Sequence, residues 1–166
     1  MKTGIILAGG ESTRMGEDKS LINSNVKRLS NELKKAGCNR IVIMCGSEER
    51  MHLFEGECVP DTADSLAESI VDFVSEIEGP IQLAPCDAYL ADADFFNIID
   101  GVPLDDTGHR QPLLARIQNA SLLDSSKKIS TVFANIASCE GGIKARNTNT
   151  PEQLKEIQSL LLRDGQ

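Results

Sequence analysis

Apolar and polar residues follow two different rhythms along this chain. Lys2 to Ala8, Arg40 to Cys45 and Pro80 to Pro85 are short, nearly continuous apolar runs. Runs of that length read as strands buried on both faces. A briefer one, Glu57-Cys58-Val59, ends at Pro60-Asp61. Between the runs the period becomes helical. Val26, Leu29, Leu33 and Ala36 form one stripe, with Lys27, Arg28, Glu32, Lys34 and Lys35 between them. Gly37 then suits the position just past a helix end. Ser47 to Phe54 predicts a short helix. Ser65-Leu66-Ala67-Glu68 has capping-box spacing, and Leu66, Ile70, Phe73 or Val74, and Ile77 give a stripe ended by Gly79-Pro80. Asp92 to Ile99 predicts a further helix, whose opening acids Asp92 and Asp94 suit the positive end of the helix dipole.

The last third is less regular. Gln111 to Ile117 predicts a strand, residues 118–125 and 129–137 two weaker helical segments, and Gly142 to Arg146 a late strand. Thr150, Pro151 and Gln153 stand at cap, N1 and N3 of a C-terminal helix striped by Leu154, Ile157, Leu160 and Leu161. Strands alternating with helices predict an α/β fold of three layers, a mostly parallel sheet with helices on both faces. The length suits one domain over residues 1–166. Ligands of such sheets bind outside the C-terminal strand ends. That rule gathers Gly9 to Lys19, Cys45-Gly46-Ser47, Asp61 and Asp87 at one edge.

Charge narrows the partners. The formal net charge is −8, from 17 basic and 25 acidic residues. A nucleic-acid domain usually carries a basic face, so a polyanion partner is not expected. A nucleotide is compatible, since a local loop and a divalent metal offset its charge. Cys38, Cys45, Cys58, Cys86 and Cys139 include no C-x-x-C pair, which points to reduced, packed thiols rather than a zinc or redox site. No apolar segment is long enough to span a bilayer. The first strand starts at once, leaving no room for a targeting segment; a cytoplasmic protein with no membrane partner is expected. His52 and His109 sit in no motif and receive no role.

The chemistry concentrates after the first strand, in Leu7-Ala8-Gly9-Gly10-Glu11-Ser12-Thr13-Arg14-Met15-Gly16-Glu17-Asp18-Lys19-Ser20. Adjacent glycines let backbone N–H groups approach an anion with no Cβ in the way. Arg14 and Lys19 add two cations, so the stretch reads as a phosphate cradle or, on glycines alone, as a surface turn. It is neither a P-loop nor a dinucleotide fingerprint, because the spacings G-x-x-x-x-G-K-[ST] and G-x-G-x-x-G are both absent. Asp87, at the end of an apolar run, is either a hard-oxygen ligand for Mg²⁺ or an ordinary turn or cap residue.

The run L-A-G-G-x-S-x-R-M-G-x-D-K resembles the N-terminal motif of the Rossmann-like nucleotidyltransferases, and within them that of the molybdenum cofactor guanylyltransferases. Further islands follow in the family's order. Pro85-Cys86-Asp87 resembles its metal-binding segment, Val59-Pro60-Asp61 its base-reading segment, and Asn147-Thr148-Asn149-Thr150-Pro151-Glu152 its N-x-N-T-P-E motif. Gln111-Pro112-Leu113-Leu114-Ala115 is similar as well. The resemblance implies a fold of the nucleotide-diphospho-sugar transferase type. It implies transfer of GMP from GTP to molybdopterin, forming molybdopterin guanine dinucleotide and pyrophosphate. Leu7, Ala8, Gly9, Gly10, Lys19, Asp61 and Asp87 would bind the nucleotide, with Asp61 on the guanine edge. Arg14, Lys19 and Asp87 would be catalytic, and Asp87 with Asn149 would hold Mg²⁺. It also implies contacts with other molybdenum cofactor biosynthesis proteins.

Departures from that pattern keep two further readings open. Only about six residues are expected between Lys19 and the first helix, where the family has a longer loop with a Gly-x-Pro turn. The family's G-P-L-A-G has become Asp64-Ser65-Leu66-Ala67-Glu68, Tyr89 replaces a usual Pro, and an Asn expected near Gly46 is missing. One alternative is a transferase for another acceptor, such as a sugar phosphate, cobinamide phosphate, or molybdopterin with CTP. The other is a nucleotide-binding protein without turnover.

Overall fold

The computed structural model of the chain describes residues 2–9, 19–146 and 155. Strand β1 (Thr3–Leu7) is followed by helix α1 (Lys19–Lys35), β2 (Arg40–Gly46) and β3 (Glu57–Pro60). Helix α2 (Leu66–Val74), β4 (Ile81–Pro85) and α3 (Ala93–Ile98) come next. Then follow β5 (Val102–Asp105), β6 (Arg116–Ile117), α4 (Ile129–Val132) and β7 (Ser138–Gly142). A main sheet runs in the order β3-β2-β1-β4-β6, and β5 and β7 pair separately. Strands β1 to β4 are mutually parallel, and β6 joins β4 antiparallel. This is the expected mostly parallel, Rossmann-like α/β sheet.

Alternation along β1 explains why the sheet is covered twice. Ile6 and Ala8 point to one face, where Val26, Leu29 and Leu33 of α1 and Phe95 and Phe96 of α3 pack on them. Ile5 and Leu7 point to the other, against Ala67, Ile70 and Val74 of α2 and Val132 of α4. Leu29 and Leu33 are fully buried; truncating either to Ala would cost roughly 2–5 kcal/mol through lost burial and the cavity left behind. Ser65 caps α2, accepting from the Glu68 amide at 3.1 Å, and Asp92 caps α3, accepting from the Phe95 amide at 2.9 Å. The Ser65 cap was legible from the capping-box spacing, whereas the sequence marked Asp92 only as an acid at the helix start.

Four expectations need correction. The first helix begins at Lys19 rather than near Val26, so no linker separates Lys19 from it. Asn23, Ser24 and Asn25 are weak helix formers, but Asn25 is 4% exposed and finds a tertiary partner. Gln111 to Ile117 is not one strand; Pro112 opens a 3-10 turn over Pro112–Leu114, and pairing is confined to β6. The segments at 118–125 and 129–137 shrink to a 3-10 turn over Ala120–Leu122 and to the single turn of α4. The late strand lies earlier, as β7, and ends at Gly142, whose φ of 72° turns the chain into a 3-10 turn over Ile143–Ala145. Its neighbour Gly141 has no room for a side chain, since a Cβ there would lie 2.8 Å from the Pro103 Cβ. The expected C-terminal helix, with Thr150 and Pro151, lies outside the described residues apart from Lys155.

Candidate nucleotide site

Because β1 to β4 are parallel, their C-terminal ends share one edge. Leu7 is in register with Met44 of β2 and with Pro85 of β4. Gly46 is in register with Pro60 of β3. Gly9, Gly46, Asp61 and Asp87 therefore leave the sheet side by side. Connections run outward from β1 to β2 and β3, then return to β4 on the opposite side of β1. A reversal of that kind opens a crevice at the strand ends, the usual ligand position in open α/β sheets. Here Gly9 and Asp87 flank it. Asp61 stands two strands away on the other side. With strands about 4.8 Å apart, the two carboxylates are separated by three strand spacings, roughly 14 Å across the edge.

Main-chain bonds hold this rim. The Ala8 amide donates to Met44 O at 2.8 Å, the Cys86 amide to Leu7 O at 2.9 Å, and the Asp61 amide to Gly46 O at 2.9 Å. Leu7 and Ala8 are buried, with their side chains in the core. They can meet a ligand only through the main chain, and they deliver Gly9 to the rim. A Cβ placed on Gly9 would come within 3.9 Å of Gly46 Cα, so the two glycines lie close together. Asp61 is half-buried, and burial raises its carboxyl above the ordinary aspartate range. Asp87 is half-buried too, in the turn that follows β4. Lys19 is the first residue of α1. Gly10, Arg14 and Asn149 lie outside the described residues.

Three side chains that no sequence motif marked organise the rim. Arg50 donates its Nε to Cys45 O at 2.8 Å and an Nη to Ala8 O at 3.1 Å, tying the exits of β1 and β2. Asn25 donates its amide to Cys86 O at 2.7 Å. Arg28 donates to Asn25 Oδ1 at 2.9 Å, to Ala91 O at 2.7 Å and to Ala88 O at 2.9 Å. Burial lowers the Arg28 pKa from its usual value, while the charges of Glu32 and Asp92 act against that. The one sequence signal was Asn25 itself, a polar residue beside Val26 on the apolar stripe. Asn25 is six residues from Lys19, about 9 Å along the helix axis at 1.5 Å per residue. One helix therefore connects the start of α1 to the segment carrying Asp87.

Among the described residues, no group of three or more His, Cys, Asp or Glu forms a metal cage, and no helix is long and apolar enough to cross a membrane. The rim thus sets two glycines, Gly9 and Gly46, and two separated carboxylates, Asp61 and Asp87, on one edge of the sheet.

Known proteins resemble this chain in sequence family and in fold. A MobA-like NTP transferase domain matches residues 4–99. No curated protein sequence matches at a significant level. Among solved structures, a protein from Aquifex aeolicus superposes with a TM-score of 0.67 at 18% identity, over 89% of this chain and 93% of that one. A nucleotidyl transferase from Methanothermobacter gives 0.63 at 16% identity over 99% of each chain. The bifunctional IspDF of Campylobacter jejuni gives 0.64 at 20% identity, over 93% of this chain and 53% of that one. At these identities the structures bear on the fold, while the matched domain spans most of the rim, from β1 to the end of α3.

Proposed function

Because the chain belongs to the family of MobA-like NTP transferase domains, and is a nucleotidyl transferase of that family, we propose that it moves GMP from GTP onto the phosphate of molybdopterin. The products would be molybdopterin guanine dinucleotide and pyrophosphate. The observation that carries the reading is the gathering of Gly9, Asp61 and Asp87 on one edge, around the crevice between β1 and β4.

In this reading an oxygen of the acceptor phosphate attacks the α-phosphorus of GTP. A new P–O bond forms as the bond to the pyrophosphate oxygen breaks, and no covalent enzyme intermediate is needed. The protein's work is positioning and charge stabilisation. Gly9 and Gly10 offer close main-chain approach to the phosphates. Lys19 and Arg14 offset charge growing on the phosphate oxygens. Asp61 accepts N–H donors of the guanine edge, an arrangement other bases do not present. The half-buried setting of Asp61 excludes part of the competing water and strengthens those hydrogen bonds.

The donor set suits Mg²⁺. A hard cation of this size is usually held by one or two carboxylates together with substrate phosphates. Asp87 supplies one hard oxygen donor at the crevice, and Asn149 is the second candidate. Without a cage of three acidic or imidazole ligands among the described residues, the cation depends on the nucleotide for its remaining oxygens. When bound it neutralises phosphate charge.

A second reading has its own observation. Where guanylyltransferases carry G-P-L-A-G, Ser65 here caps α2 and Ser69 staples the preceding turn, accepting from the Ala63 amide at 3.0 Å. A remodelled segment beside Asp61 favours a different base or acceptor, such as CTP or another phosphorylated acceptor. The deciding experiment supplies Mg²⁺ and molybdopterin with GTP or CTP and follows pyrophosphate release and product mass. GTP-dependent formation of the guanine dinucleotide is expected. Release with CTP alone, or only with another acceptor, would overturn the guanylyl assignment.

A further inference from the structure

We propose that Asn25 and Arg28 of α1 are positioning residues that aim the Asp87 carboxylate, so that cation affinity is set partly from the helix behind the site. The inference rests on Asp87 being the cation's carboxylate, as proposed above.

Asp87 lies in the turn between the end of β4 and the start of α3, where the Ala88 amide donates to Pro85 O at 3.0 Å. Neither a sheet ladder nor a helix fixes its direction. Two side chains, one helical turn apart, take three carbonyls of that segment. Asn25 binds Cys86 O, and Arg28 binds Ala88 O and Ala91 O. The first of these belongs to the peptide that leads into Asp87. That peptide is planar, so holding its oxygen sets the direction in which the Asp87 backbone leaves it. Cys86 is pinned on both sides, since its own amide donates to Leu7 O on β1 at 2.9 Å.

The pair is closed on itself. Arg28 Nε donates to Asn25 Oδ1, which leaves the Asn25 amide nitrogen facing Cys86 O and fixes the orientation of the amide. Glu32, one turn further along, accepts from the Ala93 amide at 3.1 Å and anchors the start of α3. Burying an amide on an apolar stripe, beside Val26 and Leu29, is costly unless its hydrogen bonds are met. A helix that only covered the sheet would fill that position with an aliphatic side chain. Partners that orient a metal-ligating side chain typically alter metal affinity by about 10–100-fold when replaced.

The test is calorimetric titration of GTP in EDTA and again in Mn²⁺, for the wild type, Asn25→Leu, Arg28→Lys, Asp87→Asn and the Asn25→Leu/Asp87→Asn double variant. The ratio of the two affinities is the gain due to the cation. In Asn25→Leu and Arg28→Lys that gain should shrink about tenfold or more, while affinity in EDTA stays near the wild-type value. Arg28→Lys retains the charge and the helix, so it reports even if Asn25→Leu folds poorly. The double variant should lose no more than Asp87→Asn alone, because a residue acting through Asp87 has nothing left to aim. A wild-type gain in both helix variants, with the gain lost in Asp87→Asn, would overturn the positioning role alone. A further loss in the double variant would do the same. An undiminished gain in Asp87→Asn would overturn the cation assignment and this inference with it.

Discussion

An Nη of Arg50 donates to the carbonyl of Ala8 at 3.1 Å, and so fixes the peptide that leads into Gly9. A trans peptide points its N–H opposite to its C=O, so the bond also sets the direction of the Gly9 amide. Arg50→Ala should lower stability by roughly 1–3 kcal/mol, the usual range for losing hydrogen bonds to a charged donor. It should also weaken GTP binding, and Arg50→Lys should do less of both. Urea unfolding and GTP titration check this. A normal GTP affinity in folded Arg50→Ala would place the clamp outside the site.

Asp61 links selectivity to stability with opposite signs. Burial raises its carboxyl pKa in the folded chain, so the native state holds this proton more tightly than the unfolded state. The stability contribution is full below the unfolded pKa and is lost as pH rises through the folded one. At neutral pH the ionised carboxylate is therefore a cost to folding. Asp61→Asn should raise the Tm at pH 7 slightly, on the order of 1–3 °C. It should also cut the preference for GTP over ATP by about tenfold or more, as expected when a charged hydrogen-bond acceptor is lost. An undiminished preference would remove Asp61 from the base site.

Asp105 behaves in the opposite way. Burial works to raise its pKa, but hydrogen bonds from the Thr107 hydroxyl, the His109 and Thr107 amides and the Gln111 side chain outweigh it and hold the carboxyl at about 2. A native pKa below the unfolded value gives stability that is present above about pH 4 and lost as pH falls toward 2. Asp105→Asn should cost about 2 kcal/mol at pH 7, with the penalty fading in that acid window. Chemical unfolding at several pH values measures it. A penalty that is constant down to pH 2 would contradict an ionic origin.

Strands β1, β2 and β4 were legible because a strand buried on both faces is apolar almost throughout, as Ile41-Val42-Ile43-Met44 is, whereas β3 has no buried residue and was read from the short run before Pro60-Asp61. Their ends then located Asp61 and Asp87 at one edge. The pairing of β5 with β7 was not legible. Val102-Pro103-Leu104-Asp105 contains a proline, Ser138-Cys139-Glu140-Gly141-Gly142 is polar and glycine-rich, and the two are distant in sequence. Their contact depends on Gly141 fitting against Pro103, which no local pattern encodes. The bonds made by Asn25 and Arg28 were not legible for a related reason. Their partners are main-chain carbonyls about sixty residues away, and a carbonyl leaves no mark in the sequence. The start of α1 was misplaced because Asn25 counts against a helix locally while its tertiary bond favours one.

Lys19 opens α1, the helix that also reaches Cys86 through Asn25. Lys19→Ala should weaken GTP binding by about tenfold or more, as expected for removing a charge-assisted contact to phosphate. The circular dichroism spectrum should be unchanged, since Ala is the better helix former. Unaltered GTP affinity would remove Lys19 from the phosphate site.

The central claim is that this edge binds a guanine triphosphate together with a divalent cation. A thermal-shift series of the intact chain with GTP, CTP, ATP and UTP, each with Mg²⁺ and with EDTA, tests it most directly. A ligand that binds only the folded state must raise the apparent Tm by mass action, by an amount that grows with its concentration over Kd. A shift that is largest for GTP and falls when Mg²⁺ is removed is predicted. No shift with any triphosphate, or an equal shift with all four and in EDTA, would contradict the account.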